Sequence, residues 1–224
     1  MRDDRNKAII FSCFEPFGED SAGLNASREA VSLLPDEIRG VRVIKVLLPV
    51  TFGGAPETLR SFMMKYIAEN GTGSIAAVIC VGQASGRAEI TPELIGVNYM
   101  RASVPDNSGL IAGGRKIITD SPYDGLFSTA EPLKMTEALT HAGYPGRLSA
   151  SAGTYVCNAL LYTTLYNIKT VPELSAEPPK CGFIHVPALP EQAELAAKKG
   201  KTIFSLPASC CASAIKTASE VLFE

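Results

Sequence analysis

The segment Ile-Ala-Ala-Val-Ile-Cys-Val-Gly, at residues 75–82, is the clearest indication of the fold class. It is an unbroken apolar run, rich in β-branched side chains and closed by a glycine. Such a run is typical of a strand that is buried on both faces of a parallel sheet. Because each face of that sheet has to be covered by helices, the run predicts an α/β fold.

Similar apolar runs recur along the chain and predict further strands at 8–11, 41–48, 148–151 and 182–186. Helical patterns lie between them, from Asn25 or Ser27 to residue 34 and at 56–70, 133–141, 157–168 and 211–222. Segment 171–180 contains three prolines and is interpreted as a surface loop, and segment 98–128 as irregular or antiparallel structure near the site. The alternation predicts right-handed crossovers around a mostly parallel, twisted sheet with helices on both faces.

The bulk composition fits one globular domain over residues 1–224. The chain is 46% hydrophobic and 20% charged, and its net charge is −2. It has no basic stripe, so a nucleic-acid partner is not expected. Its N-terminal apolar run is too short for a secretory signal or a membrane span, and we therefore expect a cytoplasmic protein that does not associate with membranes. Six cysteines, two histidines and no C-x-x-C pair favour reduced thiols over disulfides or a zinc site.

Cys157 is the first candidate catalytic residue. It follows Ser-Ala-Gly-Thr-Tyr-Val and opens a predicted helix, where unpaired backbone N–H groups and the helix dipole favour the nucleophilic thiolate. The same N–H groups could hold the oxyanion of an acyl-transfer intermediate. The alternative is a buried structural cysteine, which is the commoner situation for a single cysteine.

His185 is the candidate base, because it ends a predicted strand at the edge where α/β proteins bind ligands. His141 lies in the last turn of a predicted helix and is interpreted as structural or exposed. A base of this kind needs an acidic group to orient its ring, and Glu89 and Glu93 are both candidates by position.

Five sequence blocks, in order, resemble those of the pyroglutamyl peptidase type I family of cysteine peptidases. The family motifs are F-x-P-F-G with N-P-S, G-Q-A-G-G-R with I-T-P-E, I-P-D-N, A-G-T-F/Y-V-C-N, and G-F-I-H-x-P with P-E-Q. The matching stretches are FEPFG at 14–18 with NAS at 25–27, GQASGR at 82–87 with ITPE at 90–93, VPDN at 104–107, SAGTYVCN at 151–158, and GFIHVP at 182–187 with PEQ at 190–192.

The resemblance implies a catalytic triad, with Cys157 as nucleophile, His185 as base and Glu93, rather than Glu89, as its orienting acid. It also implies a substrate pocket whose members are Phe14, Phe17, Asn25, Gln83, Val104, Tyr155 and Val156. The expected fold is a three-layer α/β/α sandwich, and the expected assembly is a homo-oligomer, possibly a tetramer. The expected reaction removes an N-terminal L-pyroglutamyl residue from a peptide through a thioester, without metal or cofactor.

The chain departs from the family pattern at several positions. Leu94 and Ser103 stand where the family usually has arginine, Glu19 replaces a glycine and Ala26 replaces a proline. Since the triad positions match, we expect activity to persist with altered efficiency.

Two alternatives are a binding module of the same fold, which holds capped N-termini without cleaving them, and a nucleoside phosphorylase-like enzyme. The second is disfavoured by the lack of a basic phosphate-binding cluster in the sequence.

Overall fold

The computed structural model of the chain describes residues 7–18 and 23–224. Its main sheet contains strands β1 (Ala8–Phe14), β2 (Glu37–Ile38), β3 (Val41–Leu48), β4 (Ile75–Gln83), β5 (Thr91–Pro92) and β10 (Lys180–Val186), in the order β2-β3-β1-β4-β10-β5. The four central strands run parallel, and the short edge strands β2 and β5 are antiparallel to their neighbours. The prediction of a mostly parallel sheet is therefore confirmed.

Helices cover both faces of this sheet. They are α1 (Ala26–Ser32), α2 (Gly54–Asn70), α3 (Pro132–His141), α4 (Val156–Thr170), α5 (Pro172–Ser175), α6 (Pro190–Lys198) and α7 (Ala208–Glu220), which continues into a 3₁₀ turn (Val221–Phe223). One buried core joins Ile9 and Phe11 to α1, α3 and α7. A second core joins Ile10 and Val78 to α2 and α4 on the opposite face. The three-layer α/β/α arrangement is confirmed.

The segment that showed no periodicity contains short antiparallel pairs. Strand β6 (Ile95–Val97) pairs with β9 (Gly125–Phe127), and β7 (Met100–Arg101) pairs with β8 (Gly113–Arg115). The expectation of antiparallel structure between residues 98 and 128 is thus confirmed. These strands are too short to produce a recognisable period of two in the sequence.

Three sequence-based assignments need correction. Segment 148–151 is not a strand, since only Ser149 forms a bridge, to Glu93. The Ser149 hydroxyl instead bonds the backbone of Ser151, and such local bonds compete with a strand ladder. Segment 171–180 is not wholly loop, because it contains α5 and begins β10. Helix α6 was not expected, although Pro190 at its first position is a usual start signal.

The parallel strands all deliver their carboxyl ends to one edge of the sheet. Phe14 ends β1, Gln83 ends β4 and Val186 ends β10. The first turn of α4, with Tyr155 and Cys157, reaches the same edge, since a side chain added at Gly82 on β4 would touch the Cys157 sulfur. The candidate site residues are therefore assembled from several elements that are distant in sequence.

Candidate active site

Cys157 lies in the first turn of α4, immediately after Val156. The helix starts at an extended Tyr155 that provides no side-chain cap, so the first backbone N–H groups of the helix are not capped by that residue. The preceding turn uses Gly153 at a φ of 78°, a conformation that side chains rarely adopt. The thiol is half-buried and lines a cavity.

Gly82, on the strand that neighbours the one carrying His185, lies close to the Cys157 sulfur. A Cβ atom at Gly82 would lie 3.0 Å from Cys157 Sγ and 2.7 Å from the Phe183 ring. Gly82 is also the direct cross-strand neighbour of His185 in the β4–β10 pairing. The absence of a side chain at Gly82 therefore lets the sulfur pack against the backbone next to His185.

The His185 ring is oriented by Glu93. Its Nδ1 lies 2.7 Å from Glu93 Oε1, and both side chains are buried. Glu93 follows strand β5, which pairs with β10 beside His185, and the Glu93 N–H donates to the Phe183 carbonyl. Glu89, the other acidic candidate, pairs instead with the exposed side chain of Arg147.

Arg87 is a polar residue of this site that motif reasoning did not single out. Its Nη1 donates to Glu93 Oε1 at 2.5 Å and to Thr91 Oγ1, and its Nη2 donates to the Ser151 carbonyl at 2.9 Å. Arg87 was visible in the sequence only as the last letter of the block at 82–87. Its partners are brought together by the fold, so spacing alone could not assign it a role.

The protonation states of the three side chains follow from burial and from one another. Burial opposes ionisation of Glu93, but the hydrogen bond from His185, with help from the positive charge of Arg87, lowers its pKa overall. Glu93 Oε2 accepts no hydrogen bond from the described residues, because the Ser149 hydroxyl donates to the Ser151 carbonyl instead. Burial lowers the pKa of His185, and Glu93 only partly opposes this.

The expectation of a favoured Cys157 thiolate is not met. Burial, reinforced by the negative charge of Glu93, raises the pKa of the Cys157 thiol to about 12. Burial therefore outweighs the helix N-terminus, which acts in the opposite direction. The site holds a neutral thiol beside a neutral imidazole.

A cavity of about 720 Å³ opens in front of Cys157. All seven predicted pocket residues line it, namely Phe14, Phe17, Asn25, Gln83, Val104, Tyr155 and Val156. The Tyr155 ring packs against Phe17 and Phe52, with centroids 5.3 and 5.2 Å away, and its hydroxyl donates to the Pro105 carbonyl. The wall nearest the thiol is thus aromatic and held in a fixed orientation.

Two predicted pocket residues also organise the backbone. Asn25 caps α1 by accepting from the Ser27 N–H, and its amide donates to the Glu15 carbonyl. Gln83 Oε1 accepts from the Ala26 N–H at 2.7 Å, and Gln83 Nε2 donates to Ser85 Oγ at 2.7 Å. Each polar atom of Gln83 keeps capacity for one further hydrogen bond.

The loop that carries Val104 and Pro105 is built around Asp106. This buried carboxylate accepts from the backbone N–H groups of Phe52, Ser108 and Leu110. These bonds outweigh the cost of burial and lower the pKa of Asp106. The aspartate was quoted in a sequence block without a role, and its contacts show that it fixes the loop on one side of the cavity.

The remaining sequence-based candidates are not among the residues that line the cavity. His141 is exposed at the end of α3. Leu94 and Ser103 are uncharged at positions where the family that the motifs resemble usually has arginine. Ser103 is exposed. Glu19 lies outside the described residues. All six cysteines are free. Within residues 7–18 and 23–224, no group of histidine, cysteine, aspartate or glutamate side chains is arranged to hold a metal ion.

Known proteins match this chain closely along most of its length. The family model described as pyroglutamyl peptidase aligns with residues 7–224. The chain belongs to the pyroglutamyl peptidase family. It is 43% identical over 186 residues to the pyrrolidone-carboxylate peptidase of Lactobacillus helveticus, covering 83% of this chain and 86% of that protein. Identity to the Thermococcus kodakarensis pyrrolidone-carboxylate peptidase is 40% over 185 residues, or 83% of each chain.

Solved structures of the family share the fold along nearly the whole chain. Pyrrolidone carboxyl peptidase from Pyrococcus furiosus superimposes with a TM-score of 0.84 at 32% identity, covering 96% of this chain and 98% of that one. Pyroglutamyl peptidase I from Bacillus amyloliquefaciens gives 0.82 at 31% identity, with coverage of 96% and 95%. Because the chain belongs to the pyroglutamyl peptidase family, it is a cysteine-type hydrolase. This favours the peptidase hypothesis over the binding-module and phosphorylase-like alternatives.

Proposed function

We propose that the chain hydrolyses the N-terminal L-pyroglutamyl residue from peptides, with Cys157 as nucleophile, His185 as general base and Glu93 as its orienting acid. The observation that carries the proposal is the His185–Glu93 pair held next to a cavity-lining thiol. Relatives that share about 40% of the sequence are named pyrrolidone-carboxylate peptidases, which supports the same activity here.

The hydrogen bond to Glu93 fixes the tautomer of His185. Because Glu93 is ionised, it can only accept, so His185 Nδ1 carries the hydrogen. Nε2 is then left with a lone pair that can take the proton of Cys157. Because both groups are neutral, we expect proton transfer to accompany the attack on the substrate.

The reaction then follows the usual course of acyl transfer. Cys157 Sγ bonds to the pyroglutamyl carbonyl carbon as its proton passes to His185 Nε2, and the first-turn N–H groups of α4 stabilise the oxyanion. His185 returns the proton to the leaving amine, which leaves a thioester. Water then attacks the thioester carbonyl carbon while giving a proton to His185, and the C–S bond breaks to release pyroglutamate. His185 returns that proton to the Cys157 sulfur, which restores the thiol. The steps need no metal or cofactor.

The cavity suits a neutral lactam better than an ordinary N-terminus. Phe14, Phe17 and Tyr155 offer flat apolar surfaces, and Gln83 provides a polar group for the lactam amide. A free N-terminus carries an ammonium, and no carboxylate among the described residues lines the cavity to pair with it. Burial of that charge is costly, so peptides with a free N-terminus should be excluded.

The test is release of aminomethylcoumarin from L-pyroglutamyl-aminomethylcoumarin under reducing conditions. Wild type should turn over, and Cys157→Ala should not, with folding checked by circular dichroism. Cys210→Ala is the matched control, because it removes another half-buried free thiol, on α7, and should keep full activity. A folded wild type without turnover, or an active Cys157→Ala enzyme, would contradict the proposal.

A further inference from the structure

The Glu93 carboxylate carries a negative charge in a place where water cannot solvate it. Its side chain is 0% exposed, and one oxygen, Oε1, faces both His185 Nδ1 and Arg87 Nη1. A buried carboxylate is stable only if a cation or several hydrogen bonds compensate for lost hydration. A neutral His185 supplies one hydrogen bond but no charge. In the described part of the chain, the permanent positive charge paired with Glu93 is that of Arg87.

Arg87 also ties together the segments that carry the reacting groups. Through Nη1 it bonds Thr91, the cross-strand neighbour of His185. Through Nη2 it bonds the Ser151 carbonyl, at the start of the segment that leads to Cys157. The planar guanidinium can make these contacts at once, whereas a lysine ammonium cannot reproduce the same fork.

We propose that Arg87 is a positioning residue that keeps Glu93 ionised behind His185 and fixes the backbone ahead of Cys157, without touching the substrate. This inference rests on the proposed function, because it assigns Arg87 a role through the Cys157–His185–Glu93 group. Arg87 is 23% exposed and does not line the cavity, which separates it from the residues that contact substrate.

The charge of Arg87 predicts a specific effect on pH dependence. The ionisable groups that act on His185 are Glu93, from the segment after β5, and Arg87, from the loop between β4 and β5, with the Cys157 thiol beside it on α4. Without the Arg87 charge, the Glu93–His185 pair binds a proton more tightly, whichever of the two groups carries it. His185 is therefore unable to accept the proton of Cys157 until a higher pH is reached.

The experiment compares Arg87→Met and Arg87→Lys with wild type, measuring kcat and KM for L-pyroglutamyl-aminomethylcoumarin across the acidic and neutral range. In Arg87→Met, kcat should fall by up to about 100-fold, as expected for a misplaced catalytic group, with KM nearly unchanged. The acid limb of its kcat/KM profile should move up by about one pH unit or more. Arg87→Lys keeps the charge and should show a smaller shift but still a reduced kcat.

Arg147→Met is the matched control, because it removes an exposed arginine that pairs with Glu89 near the same sheet edge. It should behave as wild type. Combining Arg87→Met with Glu93→Gln should cost less than the sum of the two single losses, since Arg87 would then have no carboxylate charge to support and only its backbone contact would be lost.

An active wild type with an unshifted acid limb and unchanged kcat in Arg87→Met would overturn this inference alone. Additive losses in the double variant would do the same. A folded wild type without turnover would overturn the proposed function and this inference with it. If Arg87→Met does not fold, Arg87→Lys decides the question: kcat and pH profile equal to wild type would contradict the role.

Discussion

At the scale of single residues, the activity depends on whether the His185 ring is free to accept a proton. Burial lowers the pKa of His185, so the neutral form persists to lower pH than for a solvated imidazole. Activity should therefore be lost only as the pH falls through that lowered pKa. We expect the acid limb of kcat/KM to lie below about 6.5, the ordinary histidine value. A pH profile with the coumarin substrate checks this, and a limb above neutrality would contradict it.

Gly82 is a second residue whose effect can be predicted from its contacts. In Gly82→Ala the new methyl would press on the Phe183 ring and the Cys157 sulfur, both within 3.0 Å. We expect a strong loss of kcat and a destabilisation of about 1–3 kcal/mol from overpacking. Gly86→Ala, where nothing lies within 4 Å, is the control and should retain activity. Equal activity of the two variants would show that the sulfur tolerates displacement.

At the scale of elements, the start of α1 is coupled to the pocket through Gln83. The buried Ala26 N–H has no partner inside its helix, and Gln83 Oε1 satisfies it, while Ser85 holds the Gln83 amide nitrogen. The related motifs have proline and glycine at positions 26 and 85. Two departures from the family pattern thus converge on one pocket side chain.

Ala26→Pro tests that coupling. Proline suits the first position of a helix, so α1 should be retained, but the N–H bonded to Gln83 is lost. A less constrained Gln83 must be ordered when substrate binds, so we expect KM to rise a few-fold with kcat little changed. Ser85→Ala removes the other tether and should act in the same direction. Steady-state kinetics and thermal melts separate this from unfolding, and an unchanged KM in both variants would contradict it.

At the scale of the whole molecule, the sheet divides the interior into two cores, and only one edge of the sheet carries the site. Ile215 of α7 is fully buried in the core opposite α4. Ile215→Ala should lower the free energy of unfolding by about 2–5 kcal/mol through the cavity it leaves. The kcat of the folded enzyme should remain near wild type, because α7 does not line the cavity at Cys157. Urea unfolding and kinetics below the transition measure both quantities, and a parallel loss of kcat would contradict the independence of the two regions.

Assembly and location also belong to this scale. The homo-oligomer, possibly a tetramer, stays a prediction, and light scattering should give a mass that is a multiple of 23.7 kDa. A monomer at working concentration would contradict it. Cytoplasmic location likewise stays a prediction. None of the helices in residues 7–18 and 23–224 is long and apolar enough to cross a membrane.

Local patterns along the chain are enough to specify the layered fold and most of its main strands and helices. Uniformly apolar runs such as 75–82 have one stable arrangement, between two layers of helix, and local start and stop residues set most helix bounds to within a few residues. The sequence also identified Cys157 and His185 as candidate catalytic residues, because the start of a helix and the end of a strand can be recognised from local sequence. The prediction of a strand at 148–151 was wrong, and the reason is also local, since the Ser149 side chain bonds the nearby backbone of Ser151.

The surroundings of those residues depend on tertiary packing. From position alone Glu89 and Glu93 were equal candidates, and the pairing of β5 with β10 is what sets Glu93 against His185. The role inferred for Arg87 depends on contacts that span up to 64 residues of chain. Burial of the Cys157 thiol reversed the pKa shift that its helix position suggests. Contacts and desolvation arise from packing between distant segments, and local sequence patterns carry no direct record of them.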